Sequence, residues 1–237
     1  MERLDKIIAN RGIASRREVK ELVRQGRVLV DGVPASAPDV KVSAETAAIT
    51  VDGVPVSGER YTYLLLHKPA GVLTATEDKH QPTVMELLPE SLRRRGLAPV
   101  GRLDKDTEGL LLLTDDGELT HRLLSPKHHV DKVYYAQVDG VPDTTDAEAF
   151  AAGLLLEDGL QCLPAKLEPL GGDACLVTLR EGKFHQVKRM LASRGKPVRY
   201  LKRLSMGPLR LEDTLLPGQC RELSPEELAA VRSACML

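Results

Sequence analysis

Residues able to do chemistry crowd into one stretch of this 237-residue chain. Between Val100 and Gly117 stand Asp104, Asp106, Glu108, Asp115 and Asp116, with Arg102 and Lys105 among them and an apolar run, Leu110–Leu113, in the middle. Carboxylates beside cations can do acid–base or nucleophilic work at an electron-poor carbon. Here they fall into two sets. Asp115-Asp116-Gly117 follows the apolar run directly, where turn geometry selects Asp and Gly, so this set reads as structural. Asp104 and Asp106 precede the run in a loop bounded by Gly101 and Gly109, and loops carried on a rigid strand are where reacting groups concentrate. Spacing alone leaves that loop open between a reactive site and a solvated turn. Other routes to chemistry are poor: Cys162, Cys175, Cys220 and Cys235 form no Cys-x-x-Cys pair and have no His at zinc spacing. No metal site or disulfide framework is expected, and a reducing cytoplasm fits.

The elements that must position these residues can be read along the chain. Ser15-Arg-Arg-Glu18 is a capping box opening a helix from Arg16 to about Gln25. Val19, Leu22 and Val23 form its buried stripe, Arg16, Lys20, Arg24 and Arg27 line another face, and Gly26 takes the C′ position. Val28–Val30 with an Asp31-Gly32 turn, and Ile49–Val51 ending in Asp52-Gly53, complete a small helix-helix-strand module. Val-Asp-Gly-Val-Pro recurs at 30, 51 and 138 without a fixed period and reads as reused turn chemistry. Val56–Arg60 reads as a linker. Beyond it the pattern predicts strands at Tyr61–His67, Leu110–Thr114, Val133–Val138, Leu154–Leu156, Ala165–Leu170, Cys175–Arg180, Val198–Ser205 and Leu209–Leu211. Helices are predicted at Thr83–Leu88, Glu118–Leu124, Asp146–Ala152, His185–Arg194 and from Ser224-Pro225 onward. This alternation predicts an α+β fold with a mainly antiparallel sheet.

Composition narrows the function classes. Hydrophobic residues at 42% and charged residues at 28% exclude disordered and fibrous chains. Apolar runs fall far short of the roughly 18 residues of a membrane span, and no leader pattern opens the chain, so neither membrane insertion nor secretion is expected. Aromatics at 3% argue against a surface tiled with stacking rings, leaving any base stacking to one or two tyrosines. The net charge of −1 hides strong local excesses. Residues 1–30 carry eight basic against four acidic side chains, and residues 176–210 carry ten against Glu181 alone. Two basic patches on an otherwise acidic chain suit a polyanion such as RNA.

Gly101-Arg-Leu-Asp104, followed by Asp106-Thr-x-Gly109-Leu-Leu-Leu-Leu-Thr114-x-Asp-Gly117, resembles the signature of the RsuA-type pseudouridine synthases. Leu66-His-Lys68-Pro69-x-Gly71 is similar to that family's Asn-Lys-Pro-x-Gly loop, Lys132-x-Tyr134 to its Lys-x-Tyr strand, and Gly182-Lys-Phe-His185-Gln-Val-Lys188-Arg189-Met190 to its third motif. The first 55 or so residues resemble the S4 RNA-binding module, through Arg3-Leu-Asp-Lys6, Ser15-Arg-Arg17 and Val28-x-Val30-Asp-Gly32. Ser125–His129 is most similar to family members that modify small-subunit ribosomal RNA. His67 departs from the usual Asn and is expected to be a packing or hydrogen-bonding substitution, since no acidic partner is in sight.

The resemblance implies an S4-like RNA-binding domain over residues 1–58 and a pseudouridine synthase domain over 59–237, with a mainly antiparallel mixed sheet. It implies Asp104 as the catalytic carboxylate, Lys188 as the cation that keeps it ionised, Tyr134 as the ring against the target base, and Arg102 as support for the extruded nucleotide. RNA contacts are implied for Arg3, Arg16, Arg17, Lys20, Arg24, Arg27, Lys68, Lys183 and Arg189. No metal or cofactor is implied. The partner expected is small-subunit ribosomal RNA or an assembling small subunit, bound by a cytoplasmic monomer. Competing readings are the same reaction on large-subunit RNA, a non-catalytic S4-type assembly factor, and a nucleosidase or glycoside hydrolase using Asp104 and Asp106; the basic module suits the last poorly.

Overall fold

The computed structural model describes residues 1–11, 13–44, 46–56, 61–93, 96–125 and 130–235. The linker residues 57–60 and the 126–129 part of the Ser125–His129 motif lie outside the described residues. The chain divides into two compact units, Met1–Thr62 with Arg94–Leu97, and Tyr63–Arg93 with Ala98–Leu237.

In the first unit, β1 (Glu2–Arg3), α1 (Leu4–Asn10), α2 (Arg16–Arg24), β2 (Val28–Val30), β3 (Val33–Pro34), β4 (Lys41–Val42), β5 (Ile49–Val51) and β6 (Val54–Pro55) follow in order. Leu4, Ile7 and Ile8 of α1 meet Val19 and Val23 of α2 and Val28 and Ile49 of the sheet in one buried cluster. The capping box forms as the sequence requires, the Ser15 hydroxyl accepting from the Glu18 amide at 3.3 Å and the Ser15 amide donating to the Glu18 carboxylate at 2.6 Å. Asp31-Gly32 and Asp52-Gly53 all take positive φ, the geometry of tight hairpin turns, joining β2 to β3 and β5 to β6. The third copy of the string differs: Asp139 keeps negative φ and no hairpin follows. Arg27 is corrected, because α2 ends at Arg24 and Gly26 turns the chain at φ +69°, so Arg27 leaves the helical face.

The second unit contains β7 (Tyr63–Lys68), β8 (Ala98–Pro99), β9 (Glu108–Thr114), α3 (Gly117–Leu124), β10 (Lys132–Val138), α4 (Thr144–Ala152), β11 (Lys166–Gly171), β12 (Ala174–Leu179), α5 (Gln186–Ser193), β13 (Val198–Met206), β14 (Leu209–Arg210), β15 (Cys220–Glu222) and α6 (Pro225–Ala234). Its sheet runs β11-β12-β10-β13-β9-β7-β15, with β14 added on β13 and β8 on β9. Every pair is antiparallel except β9 with β13. The predicted α+β architecture with a mainly antiparallel sheet is therefore present, with two local differences. Thr83–Leu88 forms a 3-10 turn over Val84–Leu87, because Pro89 forces Leu88 into extended backbone (ψ 142°). Leu154–Leu156 makes only an isolated bridge, Leu155 to Gln161, since a tight turn at 157–159 closes the loop before a ladder can extend.

Asp116 is structural, as its place after β9 predicts. Its carboxylate caps α3 at the Leu119 amide (3.0 Å) and accepts from the buried Tyr63 hydroxyl (2.8 Å).

The single parallel pair sets the geometry that matters. Parallel strands put the segments that precede them at the same end of a sheet. The loop before β9, holding Asp104, therefore lies at the same end as α5, which precedes β13. Register then aligns Tyr134 with Arg203, Arg203 with Gly109, and Gly109 with Lys68 in one row across β10, β13, β9 and β7. Gly109, at φ +112°, is forced by this contact: a Cβ there would stand 2.5 Å from the Arg203 nitrogen and closer still to its carbonyl oxygen. Gly109→Ala should lower the unfolding free energy by about 3 kcal/mol or more in urea titrations. A loss under about 1 kcal/mol would show that β9 and β13 separate at little cost.

Candidate active site

The loop 101–107 is tied down before it is charged. Thr74 clamps Leu103 from both sides, its hydroxyl donating to the Leu103 carbonyl (2.7 Å) and accepting from the Leu103 amide (3.2 Å). The Gly71 amide donates to the Lys105 carbonyl at 2.7 Å, and the Thr107 amide to the Asp104 carbonyl at 3.1 Å. Beneath the loop, the Lys68 ammonium donates to the carbonyls of Pro69 (3.0 Å), Lys105 (3.2 Å) and Thr107 (2.9 Å). Lys68 is 0% exposed, and burial lowers its pKa to about 8. This corrects the expected RNA contact: a buried ammonium bonded to three carbonyls holds the loop and has no path to a phosphate. His67, also buried, points its Nδ1 at the Leu215 carbonyl (2.6 Å), the hydrogen-bonding substitution expected of it.

Asp104 is the focus of the loop. One carboxylate oxygen lies 3.1 Å from the Lys188 ammonium and the other 3.5 Å from Nε2 of His185. Lys188 also bonds Asp106 at 2.5 Å. Burial pulls the Lys188 pKa down, but its bonds to Asp106 and Asp104 outweigh that and raise it. The same bond holds the Asp106 carboxyl below the usual carboxylate range against partial burial. Asp104 keeps 26% of its side chain exposed, at the edge of a small open cleft that is also lined by Arg102, Tyr134, Lys183, His185 and Leu201. Tyr134 is buried against the cleft wall, whereas Arg102 and Lys183 are exposed.

Of the residues expected from sequence, Arg102, Asp104, Tyr134 and Lys183 thus meet in one cleft, with Lys188 bonded to Asp104 at its edge. Arg189 does not join them. Its guanidinium pairs with Asp158 at 2.5 Å and donates to the Phe184 carbonyl at 3.4 Å, so it braces the chain and is not left for phosphate. The basic run 176–210 is likewise largely spent in space: Arg180, Lys188, Arg189, Arg194, Lys196 and Arg199 all pair with carboxylates, and Arg203 is buried with its Nε donating to the Leu110 carbonyl. In the first unit Arg16, Arg17 and Lys20 are exposed with no ion pair among the described residues. Arg3 pairs with Asp5, Arg24 with Glu21 and Arg27 with Asp52.

His185 of the cleft and its neighbour Phe184 were assigned no role from sequence. His185, at φ +50°, is the left-handed residue that starts α5, and its ring stacks on Phe184 with centroids 3.8 Å apart and 19° between planes. The signal available was the placing of one of only two phenylalanines between Lys183 and His185, after Gly182.

A carboxylate paired with an ammonium at the edge of a cleft can act on an electron-poor carbon, and comparison with known proteins gives the class. Residues 62–193 match the RNA pseudouridylate synthase family and residues 2–47 the S4 domain. The chain belongs to the RNA pseudouridylate synthase family. It is 48% identical to an uncharacterized RNA pseudouridine synthase of Bacillus subtilis over 95% of this chain and 96% of that protein. It is 40% identical to the ribosomal small subunit pseudouridine synthase A of Pseudomonas aeruginosa, covering 97% and 100%, and 39% identical to the ribosomal large subunit pseudouridine synthase B of Bacillus subtilis, covering 98% and 96%. Among solved structures, a pseudouridylate synthase crystal structure matches with a TM-score of 0.69 at 34% identity, over 98% of this chain and all of that one.

The Lys68 anchor has a signed pH dependence. Its folded pKa of about 8 lies below the ordinary 10.5, so between those values the unfolded chain binds the proton more tightly and this group's contribution to stability rises with pH. The stability difference between wild type and Lys68→Met, wild type minus variant, should therefore increase from about pH 7.5 to about pH 10 in urea titrations. A constant or shrinking difference would contradict the buried, destabilised ammonium.

Proposed function

We propose that this enzyme isomerises a specific uridine of small-subunit ribosomal RNA to pseudouridine, with Asp104 as the catalytic carboxylate. The observation that carries the assignment is the Asp104–Lys188 ion pair at the mouth of a cleft walled by Tyr134. The reaction breaks the C1′–N1 bond, turns the uracil and joins C5 to C1′; the C5 proton leaves and N1 gains one, so nothing is transferred from outside. As the glycosidic bond breaks, the ribose becomes electron-poor and needs an ionised carboxylate close by, as in glycoside hydrolysis. Asp104 supplies it, with the Lys188 ammonium 3.1 Å away as its counter-charge. Tyr134 holds the base in the cleft, while Arg102 supports the uridine once it has left its stack. Lys183 lies where a flanking phosphate would pass. No cofactor enters this scheme.

The first unit supplies affinity without reading sequence. Arg16, Arg17 and Lys20 offer three exposed cations on one helix for phosphates, and Arg3, Arg24 and Arg27 reach RNA only by exchanging their carboxylate partners. We place the functional boundary at residue 58, within the interval 48–61 that separates the two family matches. The small-subunit substrate is supported by the similarity to the Pseudomonas aeruginosa protein; the similarity to the Bacillus subtilis large-subunit enzyme favours a second reading, the same chemistry on large-subunit RNA. Work as a cytoplasmic monomer is the setting we infer, the reducing cytoplasm suiting four cysteines that form no disulfide.

Small- and large-subunit ribosomal RNA carrying uridine tritiated at C5 separate these readings. Wild type should release tritium to water from the small-subunit RNA, and Asp104→Asn should lower that rate by about 10³-fold or more while still binding RNA. Release from large-subunit RNA alone would overturn the substrate, and an Asp104→Asn variant as active as wild type would overturn the chemistry.

A further inference from the structure

Phe184 is 67% exposed, although apolar rings of its size are ordinarily covered. One face of the ring is stacked on His185, whose Nε2 lies 3.5 Å from Asp104, and the ring borders a second cleft lined by Thr74, Arg102, Asp104, Lys105 and His185. The loop that carries it is braced at each step. The Gln186 side chain accepts from the Lys183 amide (2.9 Å) and donates to the buried Glu181 carboxylate (2.5 Å), and Arg189 holds the Phe184 carbonyl. His185 is one of three non-glycine residues with positive φ among the described residues, and the other two are hairpin-turn aspartates. Its left-handed backbone is a local cost, and such costs concentrate where function over-determines the geometry. The arrangement holds an aromatic face out to solvent, one ring layer away from a group that touches the catalytic carboxylate.

We propose that the Phe184–His185 pair is a stacking platform for the base next to the target uridine. This rests on the reading of the Asp104 cleft as the site of the extruded uridine. When that uridine leaves the helix stack, its neighbour loses one stacking partner. The open face of Phe184 replaces it, and the exposed Arg102, Lys105 and Lys183 flank the path of the connecting phosphates. A ring face accepts any base, so the platform adds affinity and fixes the strand's course without dictating the neighbour's identity. The residue is a binding residue, and its loss should act on KM and leave the chemical step nearly intact.

The test compares wild type, Phe184→Leu and Phe184→Tyr for tritium release from C5-tritiated small-subunit ribosomal RNA, with thermal unfolding of each protein. Phe184→Leu keeps apolar bulk but lacks a planar face; it should raise KM about tenfold or more with kcat changed less than about threefold. Phe184→Tyr should restore the wild-type KM, and all three proteins should unfold at the same temperature. A Phe184→Leu KM within about twofold of wild type, an effect confined to kcat, or a Phe184→Tyr variant as impaired as Phe184→Leu would overturn the platform. The wild-type arm keeps the two readings apart: release from large-subunit RNA alone overturns the small-subunit substrate, and the same comparison on that RNA then decides the platform.

Discussion

The backbone contact between Gly109 and Arg203 is the constraint on which the catalytic unit depends. It allows β9 and β13 to run parallel in a sheet whose other pairs are antiparallel. Only that polarity brings the loop before β9 and the helix before β13 to one end, and so brings Asp104 and Lys188, 84 positions apart in sequence, within 3.1 Å. A side chain at position 109 would push the strands apart and the ion pair with them. The fold therefore builds the Asp104–Lys188 pair from topology and one missing Cβ.

Around that pair the charges are arranged in two tiers. Lys68 is sealed below the loop, where desolvation weakens its hold on a proton and three carbonyls use up its donors. Lys188 is at the surface of the cleft, where two carboxylates strengthen its hold. The two lysines thus divide the work, one fixing the backbone that carries Asp104 and the other facing its carboxylate. Six of the ten cations between 176 and 210 are paired with carboxylates and Arg203 is buried, which leaves Lys183, on the cleft, together with Lys202 and Arg210.

Much of this was legible in the residues. The Ser15–Glu18 box and the Asp31-Gly32 and Asp52-Gly53 hairpins are local rules acting over three or four positions, and each forms as read, while Asp116, read only as structural, caps α3. Motif resemblance brought Arg102, Asp104, Tyr134 and Lys188 together across strands that no local rule connects. What escaped were effects of the third dimension. A lysine in a conserved-looking motif loop reads as a phosphate contact until burial shows that its proton donors face inward, as with Lys68. A run of cations reads as a patch until partners distant in sequence, such as Asp131, Asp146, Asp158 and Asp173, are found beside it. Phe184 was hidden for the opposite reason: a lone phenylalanine suggests core, and only the braced loop turns it outward.

The central claim is that uridine meets the protein at the Asp104–Lys188 pair. The most direct test is a crystal structure bound to ribosomal RNA fragments in which the modified uridine is replaced by 5-fluorouridine, whose C–F bond cannot release a proton and so arrests the reaction at the enzyme. The account predicts the extruded nucleotide in the cleft, its ribose against the Asp104 carboxylate and its base against Tyr134, with Lys188 still bonded to Asp104. A nucleotide seated elsewhere, or a ribose out of reach of Asp104, would contradict it.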